Sequence, residues 1–321
     1  MKKLLSVALV LLMAFTLIGC GGGDEFPTRS IDLIIPWSAG GGTDVAGRLY
    51  AKYTEEALGQ TINVLNVVGG NSAVGAAQAA TSEPDGYTAV LLTYDILSVE
   101  AQGLAPISIR DFKMINKFSV QPTALVVHKD SGWETIEDYR QAALADPGGI
   151  DVAVNGEGAV WHQAGVLADR EMGIEAQYIP YNGSSEQVAA MLGHHVQATY
   201  ISYTSVLQHV EEGTLVVLGM MTEDRVELLP DVPTFKEVGY DAVLNSWRGI
   251  AVPKDTPDEV ADVLREAFKA AYDNEEYQTM AREALIDGDY QAHDEFQEFL
   301  VESYDQVYDI MDELGFAKPE K

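Results

Sequence analysis

Short apolar runs, each followed by a cluster of small residues and then a helical pattern, recur along most of the chain. Ile31, Leu33, Ile34 and Ile35 form the first. A continuous run of this kind predicts a strand buried on both faces. Pro36 ends it, because proline has no N–H to give to a ladder. Gly40-Gly41-Gly42 follow, with Thr43 or Asp44 expected as helix cap, and Val45, Leu49 and Tyr53 then repeat at helical spacing. Gly59 supplies the stop. The unit recurs as a strand from Ile62 to Val68, the loop Gly69-Gly70-Asn71-Ser72 and a helix from Ala73 to Ala80. Pro84-Asp85-Gly86-Tyr87 is a turn, and Thr88 to Thr93 is a third strand ending at Tyr94-Asp95. Strands alternating with helices predict an α/β fold with a parallel sheet covered on both faces.

From Phe112 to His128 the pattern is extended, which we read as a first crossing into a second unit. Thr135 with Asp138 three residues on predicts a capping box for a helix to about Ala145. A strand from Ile150 to Asn155 then opens into Gly156-Glu157-Gly158-Ala159-Val160-Trp161-His162, with a helix to about Met172. Ala176 to Pro180, the loop Tyr181-Asn182-Gly183-Ser184-Ser185 and a helix through Met191 repeat the arrangement. Strands are expected at Val196 to Ile201 and Leu215 to Met220, with a helix near Tyr203 to Glu211 between them. Ser246 to Pro253 is the expected return crossing, and Thr256 to Asn274 an amphipathic helix with Pro257 in its first turn. The remainder, notably Asp294 to Leu314, reads as acidic helix with a solvated face.

The N-terminus changes the picture of where the protein works. Met1-Lys2-Lys3 precedes an apolar stretch from Leu4 to Ile18, too short for a membrane span but fitting a secretory signal. Leu17-Ile18-Gly19-Cys20 resembles a lipobox, and Cys20 is the single cysteine. We therefore expect a signal peptide over 1–19, lipid attachment at Cys20, a tether over 20–26 and no disulfide framework. Hydrophobic residues make up 47% of the chain, ample for a core. The formal charge of −30 excludes nucleic acid as a partner, since no basic patch is available to neutralise phosphates. An anionic ligand is not excluded, but long-range steering works against it, so the site must supply local donors.

The stretch from Trp37 to Asp44 can supply them. Three successive glycines let the backbone approach a ligand, and a helix start leaves unpaired N–H groups and a partial positive charge. The same pattern also serves as a plain tight connection. A phosphate-binding P-loop is excluded, because Arg48 and Leu49 follow Gly47 where Lys and Ser/Thr are needed. A dinucleotide fingerprint fails because Val45 replaces its last glycine. In parallel α/β sheets ligands sit beyond the carboxyl ends of strands, which adds Gly70, Asn71, Ser72 and Tyr94 as candidates. Arg248 is the candidate ligand-facing cation. His194 and His195 are expected at the surface, and no metal or cofactor is expected. Ser38 beside glycines raises an exported hydrolase as an alternative, although G-x-S-x-G is absent.

Ile35 to Asp44, Pro84 to Thr88, Gly156 to His162, Ile179 to Gly183 and Leu229 to Thr234 together resemble the extracytoplasmic solute-binding proteins of tripartite tricarboxylate transporters, the Bug-type receptors. The resemblance implies a two-lobed, periplasmic-binding-protein-like (type II) clamshell with two crossover strands. Lobe 1 is expected over 27–122 and 246–321, and lobe 2 over 123–245. It implies that Trp37, Ser38, Ala39, Gly40, Gly41, Gly42, Thr43 and Asp44 hold one ligand carboxylate through backbone N–H groups and ordered water. The other end would meet the loop after Asn155, namely Gly156, Glu157, Gly158 and Ala159, together with His162 and the Tyr181–Gly183 loop. Ser202 stands where the family often has an asparagine. It further implies a non-enzymatic monomer that delivers a di- or tricarboxylate, or an aromatic carboxylate, to a permease with one large and one small subunit. A sensor presenting ligand to a membrane kinase is the alternative the same fold would serve.

Overall fold

The computed structural model describes residues 26–318. The expected signal segment, Cys20 and nearly all of the tether lie outside those residues. Strand β1 (Ile31–Ile35) leads into α1 (Gly42–Leu58), then β2 (Ile62–Asn66), α2 (Ala73–Ala80), β3 (Thr88–Thr93), α3 (Asp95–Gln102) and β4 (Phe112–Gln121). The second unit runs β5 (Thr123–His128), α4 (Ile136–Ala145), β6 (Asp151–Val154), α5 (Val160–Met172), β7 (Gln177–Pro180), α6 (Ser184–Leu192), β8 (Ala198–Ser202), α7 (Leu207–Glu211) and β9 (Leu215–Met220). The chain then returns through β10 (Ser246–Pro253), α8 (Asp258–Asp273), α9 (Glu275–Glu283), β11 (Asp287–Ala292) and α10 (His293–Glu313).

Two sheets result, a six-stranded one in the order β11-β4-β10-β3-β1-β2 and a five-stranded one in the order β7-β6-β8-β5-β9. β1, β2 and β3 are parallel, as βαβ units require. β10 enters antiparallel to both β3 and β4, so the first sheet is mixed rather than wholly parallel. The reason is directional: β10 comes back from the second sheet against the direction in which β3 runs. The two crossings lie side by side. Met221 N–H donates to Thr123 O at 2.8 Å, Thr123 N–H to Asn245 Oδ1 at 3.0 Å, and Ser246 pairs with Gln121.

Burial of α1 departs from the expected face. Ala46, Tyr50 and Tyr53 are inside, whereas Val45 is 43% exposed and Leu49 is half-buried. Gly47 explains the rotation: a Cβ there would lie 2.5 Å from Ile35 Cδ1 and 2.8 Å from Leu91 Cδ1. The small residues bring the helix axis close to the sheet. Tyr50 then fits beneath, stacked on Phe118 at 4.4 Å with its hydroxyl donating to Phe268 O at 2.7 Å.

Two elements correct the sequence reading. α3 occupies a stretch with no predicted element. β11 forms a strand inside the region expected to be helix throughout. It is an edge strand of half-exposed polar residues, tied to its neighbour by a 2.6 Å ion pair between Asp289 and Lys117, so no apolar run marks it. The expected capping box is present, with Asp138 N–H donating to Thr135 Oγ1 at 3.1 Å and Thr135 N–H to Asp138 Oδ2 at 2.9 Å. Among the described residues no helix is long and apolar enough to cross a membrane.

Candidate functional site

A cavity of about 40 Å³ lies between the sheets. From the first unit Trp37, Ser38, Gly41 to Thr43, Thr93, Asp95, Gln121 and Ser246 line it. From the second come Asn155, Val160, Trp161 and Gly183 to Glu186. An adjoining space of about 390 Å³ continues past Gly40, Ser184, Ser185, Thr204, Ser205 and Arg248. On the other side of Trp37, a third opening of about 260 Å³ is bounded by Gly70, Asn71, Ser72, Asn155, Gly156 and Tyr181.

Three helix starts converge here. At the start of α1, Val45 N–H is the first donor taken up, by Gly41 O at 3.0 Å. Among the described residues, the N–H groups of Gly42, Thr43 and Asp44 meet no protein acceptor. Neither Thr43 nor Asp44 caps the helix. Asp44 sits inside the first turn and organises the loop instead. Its carboxylate accepts from Gly40 N–H at 2.9 Å, Arg48 Nε at 2.9 Å and Asn66 Nδ2 at 2.8 Å. Burial opposes its ionisation, but these bonds outweigh burial and hold the carboxyl below its ordinary range.

The start of α6 faces it. Gly183 O accepts from Glu186 and Gln187, and the Glu186 carboxylate turns back to Asn182 N–H at 3.2 Å. The N–H groups of Ser184 and Ser185 meet no acceptor among the described residues. A Cβ on Gly41 would stand 3.8 Å from Ser185 Oγ, which measures how nearly the two starts touch.

Arg248 lies under α1. It is 3% exposed, and a Cβ on Gly42 would stand 3.3 Å from its Nη2. Nη1 donates to Ser119 Oγ at 3.2 Å and Nε to Thr43 Oγ1 at 3.5 Å. With its amide oxygen turned toward the guanidinium, Gln121 accepts at 2.7 and 3.0 Å. Among the described residues no carboxylate pairs with Arg248. Burial lowers its pKa to about 9, so it remains charged at neutral pH.

The start of α5 is closed by side chains. Val160 N–H donates to Asp95 Oδ1 at 2.9 Å and Trp161 N–H to Asn155 Oδ1 at 3.0 Å. Thr93 Oγ1 donates to Asp95 Oδ2 at 3.0 Å and itself accepts from Trp37 Nε1 at 3.2 Å. Burial pushes the Asp95 carboxyl up to about 6 against the hydrogen bonds from Val160, Thr93 and Asn155.

The remaining candidates separate into groups. His162 lies within α5 and not in the lining. Its Nδ1 accepts from Gly158 N–H at 2.8 Å, and its ring packs on Tyr178 and Phe316 with centroids 4.8 and 5.3 Å away. Burial lowers its pKa to about 4, so it is a neutral acceptor for its own loop and not a donor to an anion. Gly156 has φ +107°, and a Cβ there would collide with Asn71 Oδ1 at 2.0 Å. Asn71 Nδ2 donates to Glu157 O at 2.7 Å, joining the two units. Tyr94 points away from the cavity and donates to Gln163 Oε1 at 3.0 Å, while Gln163 Nε2 donates to Ser98 Oγ at 2.6 Å. Ala39 is exposed, Ser202 bonds Thr204 at 3.0 Å, and neither lines the cavity. Outside the cleft, the His194 ring lies tilted against His128 with centroids 4.0 Å apart, and with Asp130 they bring three metal-ligating atoms within 4.8 Å of one another. His128 Nδ1 already accepts Asp130 N–H there.

Sequence reasoning did not select Thr93, Asp95, Gln121, Ser184, Ser185 or Glu186 for the cavity. Asp95 carried a signal, since it follows a buried strand at the sheet's carboxyl edge beside the selected Tyr94.

Residues 46–316 match the profile described as tripartite tricarboxylate transporter family receptor. A UPF0065 protein in the gbd 5′ region of Cupriavidus necator is 30% identical over 296 residues, covering 92% of this chain and 90% of that protein. A TctC solute-binding protein from Polaromonas, solved with no ligand, is similar with TM-score 0.70 and 30% identity over 90% of this chain and 99% of that one. R. palustris Rpa4515, solved with adipate, is similar with TM-score 0.85 and 23% identity over 91% of this chain and 99% of that one. The chain thus has the two-lobed periplasmic-binding-protein fold, with the cavity in its cleft.

Proposed function

The chain belongs to the tripartite tricarboxylate transporter receptor family, and from that premise we propose that it binds a small organic carboxylate between its lobes and delivers it to a two-subunit membrane permease. Export under the signal over 1–19 and lipid attachment at Cys20, followed by the tether over 20–26, belong to this proposal. So do lobes spanning 27–122 with 246–321, and 123–245. The family is one of solute receptors, not of enzymes.

One observation carries the reading. Among the described residues, backbone N–H groups of Gly42 to Asp44 and of Ser184 and Ser185 face each other without protein acceptors, beside a buried arginine that no carboxylate pairs. In a protein of charge −30 this is a local concentration of donors and positive field. A ligand carboxylate there would accept charge-assisted hydrogen bonds worth roughly 1.5–3 kcal/mol each. Because donors come from both lobes, such a ligand stabilises the closed arrangement over an open one. Rpa4515 was solved with adipate, a dicarboxylate, which supports carboxylates as the class to test.

Thermal unfolding of the protein with a panel of mono-, di- and tricarboxylates tests this. A ligand at about a hundred times its dissociation constant adds roughly 2.7 kcal/mol. Absence of any shift across the panel would overturn the proposal.

A further inference from the structure

Helix α5 begins at the cleft, where its first N–H groups could meet the far end of a ligand. That place is taken by the protein itself. Asp95 is a first-lobe residue, yet its carboxylate accepts Val160 N–H of the second lobe at 2.9 Å and Thr93 Oγ1–H at 3.0 Å. It is 2% exposed and lines the same cavity as Gly41, Gly42 and Thr43. The Glu186 carboxylate lines it as well, held by Asn182. Two indoles, Trp37 and Trp161, complete the wall on that side.

We infer that Asp95 is a specificity-determining residue: its carboxylate fills the second lobe's anion position, so the cleft takes a ligand with one carboxylate, seated at Gly41 to Thr43, and an uncharged or cationic group toward Asp95. This rests on the carboxylate reading above and narrows it. The physical reasoning is like-charge exclusion in a small desolvated space. The donors that would compensate a second ligand carboxylate are already spent on Asp95, and its own negative charge remains. Indole faces accept apolar and cationic groups, and repel anions. The cavity is therefore polarised, positive toward the start of α1 and negative at Asp95.

Calorimetry above pH 7, with ligands matched in length, tests the inference. One set is adipate, hexanoate and the ω-amino acid of the same length. The other is terephthalate, para-toluate and para-aminomethylbenzoate. The wild-type protein should bind the single-carboxylate members at least about tenfold more tightly than the dicarboxylate. Asp95→Asn keeps an acceptor for Val160 N–H but removes the charge, and should shrink or reverse that ratio by about tenfold. Asp95→Ser serves as a second variant, and the wild-type ratio stands as a test even if neither variant folds. Equal or tighter wild-type binding of the dicarboxylate would overturn the inference and leave the carboxylate reading intact. An unchanged ratio in Asp95→Asn would also overturn it, reducing Asp95 to a clip between lobes. Binding of no carboxylate at all would remove both.

Discussion

The helix starts at Gly42 and at Val160 arise from the same local plan, a buried strand, a loop of small residues and a helix. They end in opposite states. At Gly42 the first-turn N–H groups meet no acceptor among the described residues, and a buried guanidinium adds positive charge beneath them. At Val160 the donors are closed by Asp95 and Asn155, with His162 taking the loop N–H of Gly158. The difference comes from what the opposite lobe presents. Ser184 and Ser185 bring more donors to the first start, whereas β3 brings a carboxylate to the second. One plan thus yields open donors in one place, the proposed port for an anion, and a joint between lobes in the other. The joint is extensive: Ile96 and Leu97 of α3 share an apolar core with Val160, Trp161 and Ala164 of α5.

The strongest way to break this contrast is to close the first start as the second is closed. Gly41→Asp places a carboxylate among the free donors, where a Cβ is already within 3.3 Å of Ser38 O. Carboxylate affinity should fall by about a hundredfold or more, read by calorimetry. Undiminished affinity would show that the port lies elsewhere. Next is Arg248→Met, which should weaken binding by roughly 2–3 kcal/mol through loss of charge-assisted bonds. Arg248→Lys should fall between, because lysine cannot reproduce the fork that reaches Ser119 and Gln121.

Changes at the joint should act on stability and not on anion affinity. Gln163→Ala strands the Tyr94 and Ser98 hydroxyls, and should lower unfolding free energy by about 1–3 kcal/mol in denaturant titration. A comparable loss of affinity would blur the distinction between port and joint. A further effect at the joint concerns Asp169, farther along α5. Burial pushes its carboxyl up to about 7, although Tyr178 donates to it at 2.7 Å. The folded state therefore holds a proton that the unfolded state releases near the ordinary carboxylate value. This contribution to stability is full below about pH 4 and is lost as pH rises through about 7. Asp169→Asn should flatten the stability–pH profile in that window, by a slope of at most about 1.4 kcal/mol per pH unit. An unchanged profile would show that Asp169 is not the group responsible.

Legibility from sequence followed signal strength. β1 and β3 are dense apolar runs bounded by proline, glycine or polar residues, and they stand where the pattern puts them. The Thr135–Asp138 box marked a helix start to the residue. β11 escaped notice because an edge strand with half its surface in water needs no apolar alternation. The inward face of α1 was misread because Ala46 and Gly47 carry little hydrophobic weight, yet their smallness is what lets the helix approach the sheet. His162 follows a glycine loop, which puts it among the expected ligand contacts. Its actual role follows from Tyr178 and Phe316 packing on the ring and desolvating it.

What the sequence determined alone is local: which dense apolar stretches are strands, where glycine permits a close backbone, and that a helix begins at the glycine run. Those properties depend on dihedral preference and short-range spacing. What only the tertiary structure decided is occupancy of the helix starts. Asp95 and Val160 are 65 residues apart and on different lobes, and Arg248 and Thr43 are 205 apart. No local preference encodes such meetings. They follow from two chain crossings that fold one sheet over the other, and they settle which of two similar loops keeps its donors free for a ligand.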